Sequence, residues 1–279
     1  MRTIVSLAIV LFSVGNVITV FANDADSTSV SRLENKIAVL FDYLYKSGND
    51  QEKDLINNDI LESFENLLSL KESFQYPFDS LKRMGRLISA DKKLRVYTWN
   101  IAYNDRSNRY FGFLHYSPGK TLDPIVFRLT DKSDMIENPQ NSELTADNWY
   151  GVLYYEVVEV KAQQYKYYTL LGFDFNNYLS SKKIIDILYF TDTNQPVFGK
   201  PVFHIDNKAV NRIVFEYSSR VSMNLRYHKD IDMIVFDHLS PSKPSYTGKF
   251  EFYGPDMSYD ALKFEKGFWI LQKDIDIRN

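Results

Sequence analysis

Not one cysteine occurs in the chain. That removes disulfides, thiolate metal sites, cysteine nucleophiles and the lipid-modified cysteine of a bacterial lipoprotein together. Also missing are a Gly-x-Ser-x-Gly elbow, a phosphate-binding loop, a dinucleotide fingerprint and a His-Glu-x-x-His helix. The four histidines, His115, His204, His228 and His238, lack metal-ligand spacing. Nor is there an excess of positive charge: 33 Lys and Arg face 36 Asp and Glu, a net charge of −3. A chain of that balance carries no electrostatic footprint for nucleic acid or an anionic membrane. Its one basic cluster, residues 82–86 (KRMGR), reads as a solvated helix end.

A long apolar run occurs once, at the N-terminus, MRTIVSLAIVLFSVGNVITVFA. One arginine, an apolar stretch over 4–14 and small or short residues at −3 and −1 of Ala22 make a secretory signal peptide, residues 1–22, cleaved before Asn23. A retained anchor is the rival reading, because 15–22 stays fairly apolar, but Gly15, Asn16 and Thr19 interrupt the run. Cleavage leaves no transmembrane anchor, a net charge of −4 and a periplasmic or secreted address. Without cross-links the fold must rest on its core, which is feasible at this size.

Apolar residues Val30, Leu33, Ile37, Leu40, Phe41 and Leu44 recur at helical spacing. Ser31 with Glu34 fits a capping box and Gly48 a helix stop. A second helix is predicted from Asn58 or Asp59 through Leu68, making a hairpin, and a short third one from Asp79 through Met84. Beyond that, β-branched and aromatic residues alternate with polar ones between turn clusters. Strands are expected at 94–101, 110–116, 124–129, 152–160, 165–173, 184–190, 212–217, 223–227, 233–238, 249–252 and 262–271, the last broken by a turn at Lys266-Gly267. Connections of three to seven polar residues favour antiparallel meanders. The fold class is therefore α+β, mainly β: a helical N-terminal element (23–90) packed on an antiparallel β domain (91–279), as a sandwich, an open barrel or a partial propeller. An outer-membrane barrel needs longer strands with an unbroken apolar face.

The stretch FDHLSPSKP (236–244) gathers an acid, an imidazole and hydroxyls. On a strand Asp237 and His238 diverge, and Pro241 and Pro244 supply turn chemistry, so strand end plus turn is the favoured reading. Calcium is the one cofactor that oxygen-bearing Asp174 and Asn176 suggest, without the glycine and distal glutamate of a helix-loop-helix site. Otherwise no cofactor is expected, and Tyr253-Gly254-Pro255-Asp256 reads as a turn. Catalytic acids cannot be singled out among the 36 acidic residues. The 20 Tyr, 20 Phe and 3 Trp are more informative: most suit a core, and a few suit a platform for sugar rings or a protein partner. Trp99 beside Asn100, Trp149 beside Tyr150, and Tyr154, Tyr155, Tyr165, Tyr167 and Tyr168 are the candidates, with Asp237 and His238 as further ligand-binding candidates.

The segments LRVYTWN (94–100), YYTLLGFD (167–174), KKIIDIL (182–188), SMNLRY (222–227), MIVFDHLSPSKP (233–244) and YGPDMSYDALKF (253–264) together resemble a family of uncharacterised exported proteins from Bacteroidetes bacteria, over 30–279. The resemblance implies an envelope address and carries over no catalytic or binding residue. The functional expectation is a non-enzymatic binding or envelope-assembly protein whose partner is an envelope protein or a glycan. The alternative is an envelope hydrolase, carbohydrate-active or other, with acids from separate strands.

Overall fold

The computed structural model describes residues 19–119, 122–162 and 165–276; all but the end of the expected signal peptide, 1–22, lies outside them. Helix α1 (Thr19–Lys46) and α2 (Asp50–Leu68) form the hairpin. Ser31 and Glu34 do not cap a helix, because α1 is already under way at Thr19; the buried Glu34 carboxylate accepts the Ser80 backbone N–H at 2.7 Å instead. Helix α2 starts earlier than its apolar stripe, at Asp50, because Asn49 Oδ1 accepts the Glu52 N–H at 3.0 Å and satisfies a donor of the first turn. The expected third helix is absent. A 3₁₀ turn at Lys71–Phe74 precedes it, and over 78–82 the backbone closes only short turns, with the Leu81 N–H on the Phe78 carbonyl at 3.1 Å and the Lys82 N–H on the Ser80 carbonyl at 3.0 Å. The basic cluster runs into a strand: Arg83 pairs with Asp42 at 2.6 Å, and Arg86 donates to the carbonyls of Pro77 and Phe78.

Three sheets follow. The first, in spatial order, is β1 (Gly85–Ile88), β2 (Leu94–Ala102), β3 (Asn108–Tyr116) and β4 (Ile125–Thr130). The middle sheet runs β5 (Leu144–Thr145), β9 (Pro196–Phe198), β8 (Ser180–Phe190), β7 (Tyr165–Asp174) and β6 (Leu153–Ala162), with β12 (Ile213–Ser218) also on β8. The third runs β11 (Lys208–Val210), β10 (Phe203–Ile205), β16 (Phe268–Gln272), β15 (Tyr253–Glu265), β14 (Met233–Pro241) and β13 (Leu225–His228). All these neighbours are antiparallel except β10 and β16. The described residues form a mainly β fold with an N-terminal helical hairpin and no closed barrel. None of their helices is long and apolar enough to cross a membrane.

Strand alternation stacks these pieces into layers. Tyr97, Trp99, Ile101 and Phe113 meet the apolar faces of the helices. Their neighbours Val96 and Leu114 point the other way and pack with Leu170, Ile184 and Leu188 of the middle sheet. The opposite face of that sheet, including Tyr167, Leu171, Ile185 and Ile187, packs on Ile234, Phe236, Leu262 and Trp269 of the third. A sheet covered on both faces needs apolar residues on both, so β7 reads as a nearly continuous apolar run.

Residues 249–252 are not a strand but contain the 3₁₀ turn Phe250–Phe252, and Tyr253–Asp256 opens β15 rather than making a turn. Strand β14 outlasts its expected end: it reaches Pro241, and the 3₁₀ turn Pro244–Tyr246 begins only beyond it.

Within the middle sheet, β7 and the start of β6 approach closely at Gly172, opposite the β-bulge between Tyr154 and Glu156. A Cβ there would lie 2.0 Å from Val152 Cγ1. Gly172→Ala is expected to destabilise by about 1–3 kcal/mol through overpacking, lowering the thermal midpoint by several degrees in a melt followed by circular dichroism.

Candidate functional site

A polar cleft of about 650 Å³ opens where the first and middle sheets meet α2. Two short-range turns build its floor. At the end of β4, Asp131 Oδ1 accepts the Ser133 N–H at 3.0 Å and its hydroxyl at 2.6 Å, while Oδ2 accepts the Tyr110 N–H at 3.0 Å. Aspartate favours such turns because its side chain replaces a backbone acceptor. The Ser133 hydroxyl then accepts the Gly151 N–H at 2.8 Å, tying in the segment before β6. At the end of β7, Asp174 Oδ1 accepts the Tyr110 hydroxyl at 2.7 Å and the Asn176 N–H at 2.6 Å. Asn176 has φ 52°, a left-handed conformation that asparagine tolerates.

Lys182 of β8 completes the cluster. Its Nζ donates to the Tyr150 hydroxyl at 3.3 Å and lies 3.9 Å from Asp174 Oδ2. Burial pushes the Asp174 carboxyl above its ordinary range, against the pull of Tyr110, Asn176 and Lys182. Burial drags the Lys182 ammonium down, but Tyr150, Asp174 and Glu216 together outweigh it and hold the ammonium above its usual value. The Tyr110 hydroxyl is pushed far up by burial and by Asp174, so it stays a neutral donor.

Around this cluster the lining carries Asp54, Asp131, Asp134 and Asp174 against Arg109, Arg128, Lys132 and Lys182. Four asparagines, at 57, 58, 108 and 176, add amides. A wall of balanced charge and many neutral donors and acceptors neither attracts an ion nor repels one, and it suits a ligand rich in hydroxyls. Three of the four oxygens of the two floor carboxylates accept protein donors, which fixes both groups in place.

Of the residues singled out from sequence, the fold brings together Tyr150, Asp174 and Asn176, all on this cleft. Trp99 and Trp149 form no surface platform. Trp99 is buried between helices and first sheet, its Nε1 donating to Asn57 Oδ1 at 2.8 Å; Trp149 is buried between the sheets, donating to the Tyr154 hydroxyl at 3.2 Å. Tyr154, Tyr167 and Tyr168 are buried as well. Asn100 is half-buried and donates to Asn108 Oδ1 at 2.8 Å. Asp237 and His238 lie on a different part of the molecule and have different partners: Asp237 Oδ2 accepts the Asn224 N–H at 2.7 Å, and His238 Nδ1 meets Asp260 Oδ2 at 2.8 Å.

For calcium, Asp174 has Lys182 beside it, and the Asn176 amide nitrogen is turned to Ser180 and Glu216. Among the described residues no three acidic or histidine side chains converge on a metal-sized site. Asp131, Tyr110 and Lys182 escaped sequence reasoning because they belong to separate strands; the Asp-x-Ser turn at 131–133 was the one local signal available. Comparison of the chain with known proteins finds no matching family model, no similar curated protein and no similar solved structure.

Proposed function

We propose that the chain is an exported envelope protein, periplasmic or secreted, that binds a neutral glycan in the cleft between first sheet, middle sheet and α2 without turning it over. The export half of this reading rests on the N-terminal segment and on the resemblance to exported proteins. The binding half rests on one observation: the cleft balances four acids against four bases and adds four amides and two tyrosine hydroxyls. Sugar hydroxyls each donate and accept, so a wall of paired, fixed donors and acceptors matches them at little reorganisation cost.

A second reading, glycoside hydrolysis, draws on Asp131 and Asp174 sharing the cleft, with the Asp174 carboxyl raised as a general acid requires. Isothermal titration of the purified protein with a panel of neutral cell-wall and dietary glycans separates the two. Binding is expected with at least one, weakened about tenfold by Tyr150→Phe through loss of one hydrogen-bonding hydroxyl, the ring itself being buried. No heat with any glycan sinks the proposal, and release of reducing ends that Asp174→Asn abolishes replaces it with the hydrolase.

A further inference from the structure

Strand β15 carries the most exposed large hydrophobic side chain among the described residues, Met257, at 93%. The register of the sheet puts it there. Between the pairs Asp237–Tyr259 and Leu239–Pro255, the three residues 256–258 of β15 face the single residue His238 of β14. Such a bulge re-aims a side chain. Asp256 Oδ1 ties it by accepting the Ser258 N–H at 3.2 Å and its hydroxyl at 2.7 Å. Met257, at the tip, has φ 73°, a left-handed conformation uncommon for any residue with a Cβ.

Two residues earlier, Pro255 lines an apolar groove of about 560 Å³. Short contacts fix its walls. The Ser219 N–H donates to the Leu179 carbonyl at 3.0 Å, the Ser219 hydroxyl to the Tyr178 carbonyl at 2.8 Å, and the Ser242 N–H to the Phe252 carbonyl at 3.0 Å. Val221 lies against Gly254, where a Cβ would meet its Cγ2 at 3.5 Å. Tyr178, Leu179, Val221 and Phe252 nevertheless stay exposed in the groove. Two of the rings are held: Arg106 sits over Tyr178 at 4.2 Å, and Phe252 stacks on Tyr246 at 4.1 Å. Large exposed side chains gathered in one groove form the kind of apolar patch that marks a protein contact. The charged residues of the lining are Arg220 and Glu251, and neither forms an ion pair among the described residues.

We propose that the groove and the Met257 bulge are a self-association surface: two copies of the chain meet about a two-fold axis, and Met257 of each enters the groove of the other. Methionine is unbranched and polarizable, and it fills irregular apolar gaps. A two-fold contact must be self-complementary, and this patch supplies both halves of each contact, knob with groove and Arg220 with Glu251. A small ligand would explain the groove but not the exposed methionine presented beside it. The surface shares no residue with the polar cleft and stands or falls independently of the glycan reading.

The test is sedimentation velocity of the purified protein over a dilution series. A dimer in equilibrium with monomer is expected. Met257→Asp and Leu179→Asp, both at exposed positions, should each raise the dissociation constant about tenfold by placing a charge in an apolar contact. Aspartate tolerates the left-handed backbone at 257, so the first variant keeps the bulge. Arg220→Glu and Glu251→Arg should each weaken the dimer, and the two together should restore it, because the reversed charges pair again. A protein still monomeric at about 100 μM, or a dimer indifferent to both aspartate variants, overturns the proposal. Species that grow beyond the dimer overturn the two-fold arrangement. A double charge reversal no tighter than either single one overturns the pairing of Arg220 with Glu251.

Discussion

Asp186→Ala is expected to cost about 3–5 kcal/mol of unfolding free energy, the range for leaving one member of a buried ion pair without the other. Asp186 stands in the middle of β8 and is fully buried, as is Arg212 just before β12. Arg212 Nε lies 2.8 Å from Asp186 Oδ2, a contact of charges more than a linear hydrogen bond, since the Nε–H finds no well-aligned acceptor. The carboxylate also accepts the Tyr154 hydroxyl at 3.2 Å and the Ile187 N–H at 2.8 Å. The guanidinium is less well served: Nη1 donates to the Pro139 carbonyl, and Nη2 has no hydrogen-bond partner. With the acid gone, a permanent positive charge would remain between two sheets with only one carbonyl and the Tyr150 ring, 5.8 Å away, for company. The double variant Asp186→Leu with Arg212→Met removes both charges at similar volume, and should cost far less than the single one. Urea unfolding of the three proteins measures it. A double variant as unstable as the single one would mean that the loss comes from packing or from Tyr154, and that the ion pair itself counts for little.

The same pair shows where sequence reasoning stops. Asp186 sits in β8 and Arg212 leads into β12, two strands whose type was legible from β-branched alternation, but nothing local says that β12 lies beside β8. The helical hairpin was readable because a one-sided apolar stripe survives at period 3.6; the start of α2 was not, because Asp50–Asn58 is polar on nearly every side and only the Asn49 cap marks it. Tyr253–Asp256 carries turn residues yet forms strand: Pro255 pairs with Leu239 on one side only and needs no N–H toward an unpaired edge. The candidate cleft was half visible. Asp174 and Asn176 announced a polar turn and Tyr150 an aromatic one, but the partners that make a site of them, Tyr110, Asp131 and Lys182, come from β3, the end of β4 and β8. Aromatic residues misled in the other direction, because propensity for a pleated sheet is the same on an exposed face as on a buried one.

Trp99 is the sharpest case, and Trp99→Ala should cost about 3–5 kcal/mol, the range for truncating a buried aromatic side chain. Its ring meets Phe41 of α1 edge-on at 5.7 Å and Phe64 of α2 in a stack at 5.8 Å, with Phe111 and Phe113 of β3 at 5.9 and 6.1 Å. One side chain therefore joins both helices to the first sheet, and its removal opens a cavity at their junction. The loss should be uneven: amide hydrogen exchange in α1 and α2 should accelerate more than in β7 and β8, which share no contact with the ring. Trp99→Phe keeps most of the volume but leaves Asn57 Oδ1 without its donor, a buried acceptor whose orphaning costs about 1–3 kcal/mol. Because Asn57 also lines the polar cleft, Trp99→Phe should weaken the proposed glycan binding only as far as it loosens α2. A surface platform would behave in the opposite way, with binding lost and urea midpoints unchanged. If Trp99→Ala unfolds at the parent's urea concentration, the helical hairpin is not held by this ring, and the layer order at the first sheet must be drawn again.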